Sequence, residues 1–391
     1  MALIKQLRSE KSQDSMILFV GVILAAMLRL ALIEYESGDF IGFYGVWLDF
    51  IQEHGGFLAL KYPFSQYAPI YQYLLVIASQ LFARLPDIYA IKLISIPFDF
   101  INAIFVYKIV RIGYPKGSAP LVACLAVLFA PTVVLNSALW GQADMVYTSC
   151  LVACLYFLLV KKESTAFIVF GLAVSFKLQA FFLLPLLIIL ALRRVVSWKS
   201  FLIIPLVYVV TIIPAWLVGR PINELLLVYV DQSEVYHELT MNAANLYQWF
   251  PNELYDILVP VGLIYTTAMT FFFVAGVSRY VRQFSAKLII ELATISVLIL
   301  PYFLPKMHDR YFFPADVFSI ILAFFFPSLF YIPIIVGLVS LFSYFPFLFV
   351  SEPIPQEYLA LVLLLVIVIL VRHLFIEVRC LSEDQAGDPE N

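Results

Sequence analysis

Asp39 stands in the run Gly38-Asp39-Phe40, shortly after an apolar stretch that ends at Ile33. A carboxylate beside a glycine and followed by aromatics suits general-base work on a hydroxyl; it equally suits a solvated helix cap. Asp144 closes the run Trp140-Gly141-Gln142-Ala143-Asp144 just before an apolar stretch. It reads either as a helix N-cap or as part of a sugar site, with Trp140 to stack and Gln142 to hydrogen-bond. Lys177, with Gln179 two residues on, interrupts the middle of the apolar segment 164–192. A lysine at that depth needs a partner or water, so it either holds an anionic head group or forms a buried pair with a carboxylate. His308 and Arg310 belong to the cluster Lys306-Met307-His308-Asp309-Arg310. A guanidinium binds phosphate through a planar fork and His308 can donate beside it; interfacial anchoring is the alternative. In the loop 219–256, Asn245 and Trp249 offer the amide and aromatic groups that hydroxyl-rich ligands use, and that ordinary interfacial loops also carry. Asp99, inside an apolar run, reads as a structural hydrogen-bonding group.

Other chemistries lack their usual words. No phosphate-binding Walker loop, dinucleotide fingerprint, zinc-ligand spacing or Gly-x-Ser-x-Gly elbow occurs, so ATP-driven, redox and serine-hydrolase readings lose support. Cys150 and Cys154 lie one helical turn apart in an apolar run and read as packing; with Cys124 and Cys380 they make no disulfide framework. No metal site is expected.

The elements that must position these residues are membrane helices. Hydrophobic residues make up 63% of the 391-residue chain and charged residues 13%, about half the charged share of roughly 25% in soluble domains. With a mean hydropathy of +0.96, an all-α, polytopic transmembrane bundle follows. A net charge of −3 argues against a nucleic-acid partner. Apolar runs at 16–33, 88–111, 117–137, 145–161, 200–218, 257–278, 287–304, 311–328, 330–350 and 357–376 read as ten full spans. Lys161, Lys162, Arg193, Arg194 and Lys199 flank both ends of 164–192. Cytoplasmic loops collect such residues, so this segment reads as a helical hairpin turning near Lys177. The same rule makes 69–85 dip and return rather than cross. Both termini are then cytoplasmic, and loops 34–87 and 219–256 face outward with the chemically capable residues. Residues 1–391 read as one membrane domain with a solvated tail at 377–391.

In order along the chain, Gly38-Asp39-Phe40, His54-Gly55-Gly56, Tyr67-Ala68-Pro69, Pro97-Phe98-Asp99, Trp140-Gly141-Gln142 with Asp144, Ser175-Phe176-Lys177, Asn245 with Trp249, and Lys306 to Asp316 resemble the GT-C superfamily of integral-membrane glycosyltransferases. The likeness is closest to prokaryotic proteins related to PIG-V, the second mannosyltransferase of GPI-anchor synthesis. Many relatives have Tyr-Pro-Pro where this chain has Tyr67-Ala68-Pro69. The resemblance implies a GT-C-type bundle in a prokaryotic plasma membrane and a polyprenyl-phosphate-linked sugar donor, mannose by family default. It also implies a glycolipid or glycan acceptor at the non-cytoplasmic face, with Asp39 as catalytic base. In the expected inverting transfer, Lys177, His308 and Arg310 hold the donor phosphate. Trp140, Gln142, Asp144, Gln179, Asn245 and Trp249 line the sugar and acceptor sites. A lipid phosphate leaves readily, so no cofactor or divalent metal is demanded. Lys177→Met is expected to leave insertion intact and weaken donor binding. The competing class is a lipid or solute transporter or flippase, which also needs buried charges; a non-enzymatic scaffold is a third reading.

Overall fold

The computed structural model describes residues 2–281 and 283–386, and side chains within 13–379. Lys5, Arg8, Lys11, Cys380 and most of the tail 377–391 thus lie outside the described side chains.

The chain is helical almost throughout. Helix α1 (Ala2–Leu32) leads into a π-helical turn, Phe40–Tyr44, and the short α2 (Gly45–Glu53). Helix α3 (Pro69–Leu81) has 13 residues, too few to cross a bilayer. Its Leu75 and Val76 share an apolar cluster with Ile91 and Ile94 of α4 (Asp87–Gly113). Asp87 accepts a hydrogen bond from Gln52 of α2 at 3.5 Å, so the chain between them leaves and rejoins the same end of the bundle.

Helix α5 (Ala119–Leu128) continues past a break into α6 (Pro131–Val134) and a second π turn, Leu135–Trp140. The two parts meet at 47°. Pro131 lacks the N–H a continuous helix would need there and begins the second part instead. Helices α7 (Asp144–Leu159) and α8 (Glu163–Phe176) follow, with Lys177 extended between α8 and the 3₁₀ segment Leu178–Leu183 that leads into α9 (Leu184–Leu192). Glu163 at the start of α8 accepts from the Ser197 N–H at 2.6 Å and the Ser200 hydroxyl at 2.5 Å. Both ends of this segment therefore lie together and the turn is at Lys177.

The rest comprises α10 (Ile203–Leu217), α11 (Ile222–Ser233), α12 (Tyr255–Tyr280), α13 (Ala286–Phe303), α14 (Phe313–Phe325), α15 (Tyr331–Phe349) and α16 (Gln356–Ala386). Two short parallel strands, β1 (Thr240–Met241) and β2 (Met307–His308), pin the second large loop to the segment before α14.

Among the described residues, seven helices are long and apolar enough to cross a membrane, or eight if the bent α5–α6 pair is one span. The ten expected spans are corrected accordingly. Of the runs at 145–161 and 311–328, α-helix forms only over α7, 16 residues, and α14, 13 residues. Both helices are packed almost entirely inside protein, where the bilayer does not dictate length. Burial sorts the longer helices: 83% of the apolar window of α13 is buried against 17% for those of α1, α10 and α12. A helix apolar all round belongs in the middle of a bundle; those three turn a broad apolar face outward, as lipid contact requires.

Several buried ionisable groups on the helices have polar partners. Asp99 of α4 accepts from Arg29 Nε of α1 and from the Ser137 hydroxyl, both at 2.6 Å. Glu291 of α13 meets His373 of α16 at 2.6 Å, and Asp316 of α14 accepts from Ser340 of α15 at 2.7 Å.

Candidate functional site

Asp39 sits in the turn immediately before the first π turn, and Trp140 ends the second. Gly141, at φ +82°, makes the left-handed turn that lets consecutive residues face one point. Trp140 Nε1 donates to Asp39 Oδ2 at 2.8 Å and the Gln142 amide donates to the same oxygen. The Ser37 hydroxyl ties the two turns by donating to the Trp140 carbonyl at 2.9 Å. π turns inserted in helices are frequent at functional sites. Asp39 is only 9% exposed and makes no cap hydrogen bond, so the solvated-cap alternative does not describe it.

A relay extends from Gln142. The Tyr44 hydroxyl lies 3.3 Å from Gln142 Oε1 and 3.2 Å from the Tyr67 hydroxyl. Burial raises both phenols, and Arg310 partly opposes this at Tyr67, which is pushed up to about 12; both stay protonated at neutral pH.

Asp144 is the first residue of α7 but caps nothing. It is fully buried, with Lys177 donating to Oδ1 and Asn136 Nδ2 to Oδ2 at 2.9 Å. Arg310 Nε stands 3.7 Å from Oδ2, too far for a hydrogen bond, and is buried without a hydrogen-bond partner. Lys177, 4% exposed, thus forms the buried carboxylate pair that was one of its two readings, and still reaches the cleft between Tyr147 and Tyr311. The guanidinium of Arg310 lies over Trp140 at 5.4 Å and pairs with Asp309 at 3.6 Å.

Electrostatics divides the 306–310 cluster. Lys306 turns away, donating to the Ser233 carbonyl at 2.6 Å and to Tyr255. Burial, then the charges of Arg310 and Lys177, hold the His308 imidazole well below its usual pKa; it is neutral at pH 7 and offers one N–H. Burial pushes the Asp309 carboxyl up to about 7, against the pull of Arg310 and with help from Asp39 and Asp144.

Asp39, Gln142, Lys177, His308 and Arg310 line one cleft of about 80 Å³, with Gln232 of α11, Tyr236 and Tyr311 completing the wall. Trp140 and Asp144 lie directly behind it. Gln179 lines an adjoining, more apolar cavity of about 530 Å³. Asn245 and Trp249 stand apart. Asn245 is buried, accepting from the Tyr247 N–H at 3.1 Å and donating to the Leu304 carbonyl at 3.1 Å, so capping a 3₁₀ turn uses its amide. Trp249 is 42% exposed and lines neither cavity. Tyr44, Gln232 and Tyr236 are participants that sequence reasoning missed, and Tyr67 was read only as part of a motif, without a role in the site. Aromatic residues in outer loops look like membrane-interface anchors, and nothing local separates the two roles.

No family model matches this chain, nor does any curated protein sequence. Its chemistry therefore rests on the cleft. Within it, both hydrogen bonds to Asp39 fall on Oδ2, while Oδ1 takes none from a protein group. One oxygen is anchored and the other faces the cleft. Among the described residues no group of three or more His, Cys, Asp or Glu side chains is arranged to hold a metal ion.

Proposed function

We propose that this chain is an integral-membrane glycosyltransferase of the GT-C kind. It moves a hexose, mannose by family default, from polyprenyl phosphate to an acceptor hydroxyl at the non-cytoplasmic face. The observation that carries the reading is the half-anchored Asp39 carboxylate lining one cleft with Lys177, His308 and Arg310. Base and phosphate-binding cation are the two groups that a single displacement at a glycosyl phosphate calls for.

In that displacement the acceptor O–H gives its proton to Asp39 Oδ1 as its oxygen bonds to C1 of the sugar. The C1–O bond to phosphate breaks and its electron pair leaves on the lipid phosphate, inverting C1. Positive charge spreads over C1 and the ring oxygen as in other glycosyl transfers, while negative charge grows on the leaving phosphate. Arg310, Lys177 and the neutral His308 N–H face that charge from a largely buried wall, where fixed donors act strongly. Trp140 and Gln142 orient the base. The apolar cavity beside the cleft supports a lipid donor. It is lined by Val259, Pro260 and Leu263 of α12, a helix whose Ile264 is 72% exposed.

Purified protein reconstituted with a panel of polyprenyl-phosphate sugars tests the reading. Release of free polyprenyl phosphate with a new glycoside is expected. Movement of the intact donor across the bilayer without cleavage would instead make it a flippase.

A further inference from the structure

Five cations crowd the end of the bundle away from the cleft. Lys161 and Lys162 follow α7, Arg193 and Arg194 follow α9, and Lys199 lies in the 3₁₀ turn before α10; all five are exposed. The bonds from the Ser197 N–H and the Ser200 hydroxyl to Glu163 hold these segments together. The length of α8, about 21 Å at 1.5 Å per residue, separates the patch from Lys177. Among the described residues none of the five forms an ion pair. Glu163 and the partial charges of two helix C-termini offset only about two of the five positive charges. Helices α7 and α9 also close alike. The Lys162 N–H donates to the Phe157 carbonyl and the Val195 N–H to the Leu190 carbonyl, both at 2.8 Å. Such a turn needs a left-handed residue, usually glycine. Here those residues are Lys161 and Arg194, each at φ +59°. A cation is thus kept twice where glycine would relax the backbone, and strained positions of this kind gather at functional sites.

We infer that this patch binds the phosphodiester head group of an anionic phospholipid, whose acyl chains lie along α10. The inference is independent of the transferase reading. Depth supports it. Trp198 and Trp216, both exposed, stand near the two ends of the apolar span Trp198–Leu217. They are about 27 Å apart along a helix, close to the hydrocarbon thickness of about 30 Å, and exposed tryptophans mark the two interfaces. The patch beside Trp198 is therefore at head-group level. Arg193 and Arg194 carry planar forks that match phosphate oxygens. Leu202 and Leu206, 72% and 61% exposed, continue from the patch along α10 and meet the chains. A zwitterionic head group brings its own cation, which five positive charges repel. A soluble phosphate has no chain to lie on those leucines.

Full-length protein, stripped of lipid in an uncharged detergent, is mixed with equal amounts of phosphatidylglycerol and phosphatidylcholine and examined by native mass spectrometry. Phosphatidylglycerol should be retained preferentially, and its addition should raise the melting temperature, as a ligand of the folded state does. Lys161→Asn with Arg194→Asn removes two charges and places at both left-handed positions a residue that tolerates them. This double variant should melt no lower than wild type without lipid. Its affinity for phosphatidylglycerol should fall about tenfold or more, and the lipid-induced rise in melting should disappear. Lys162→Gln with Lys199→Gln, where the backbone is not left-handed, should lose affinity likewise. Equal retention of the two lipids, or wild-type affinity in both double variants, overturns the assignment. So does displacement of the lipid by inorganic phosphate at matched concentration. If the asparagine variant melts lower without lipid yet keeps the full rise with phosphatidylglycerol, Lys161 and Arg194 serve only the helix ends and the assignment falls.

Discussion

Replacing Lys177 by Met strips Asp144 of its closest cation inside the protein. The sequence alone leads to the expectation that Lys177→Met is structurally mild; its pairing with a fully buried carboxylate changes that. Removing one partner of a buried pair costs roughly 3–5 kcal/mol, because a charge is left uncompensated. Arg310 remains 3.7 Å from Asp144, and at an effective dielectric near 20 that separation carries about 4–5 kcal/mol of gross attraction. The loss should therefore lie near the lower bound, about 3 kcal/mol. Adding Asp144→Asn removes the stranded charge and should recover most of that loss while leaving donor binding weak. Melting of the four purified proteins in one detergent, followed by tryptophan fluorescence, closes the double-mutant cycle. The single variant should melt several degrees below wild type and the double variant above the single one. A Lys177→Met protein that melts with wild type, or a double variant that melts lowest, refutes the pairing as a source of stability.

The pH dependence of donor binding should follow Asp309, whose carboxyl is pushed up to about 7. Below that pH it is protonated and Arg310 is freer to meet phosphate; above it the carboxylate competes. Donor KM should accordingly rise as pH increases through about 7, and Asp309→Asn should flatten the profile; an unchanged profile in that variant removes Asp309 from the explanation. Gly141→Ala should cost more than about 1 kcal/mol, since φ there is left-handed, at +82°. It should also displace Trp140 and Gln142, so melting temperature and turnover should fall together; normal turnover would separate that turn from the orientation of Asp39.

Membrane class was legible from composition, and the clustering of Asp39, Trp140, Gln142, Lys177 and Arg310 from loops and a hairpin tip that the distribution of Lys and Arg puts on one face. The turn at Lys177 was legible from basic residues at both ends of 164–192, and Glu163 meeting Ser197 and Ser200 gives it structural form. Long-range partners were not legible. Nothing local joins Lys177 to Asp144, 33 positions away, or marks Oδ2 of Asp39 as the anchored oxygen. The span count erred at α7 and α14 because hydropathy cannot distinguish a helix buried in protein from one buried in lipid. Asn245 misled for a related reason: an amide in a loop serves a turn as readily as a ligand.

The central claim is that Asp39 takes the acceptor's proton. Its most direct test is turnover by purified Asp39→Asn protein with a polyprenyl-phosphate sugar and a glycan acceptor, beside donor binding measured on the same preparation. Asparagine keeps an acceptor oxygen for the Trp140 N–H, so the fold and the donor site should survive. Transfer should fall by about 10²–10⁴, the usual worth of a positioned base, with donor affinity close to wild type. Near-normal turnover by that variant would contradict the account.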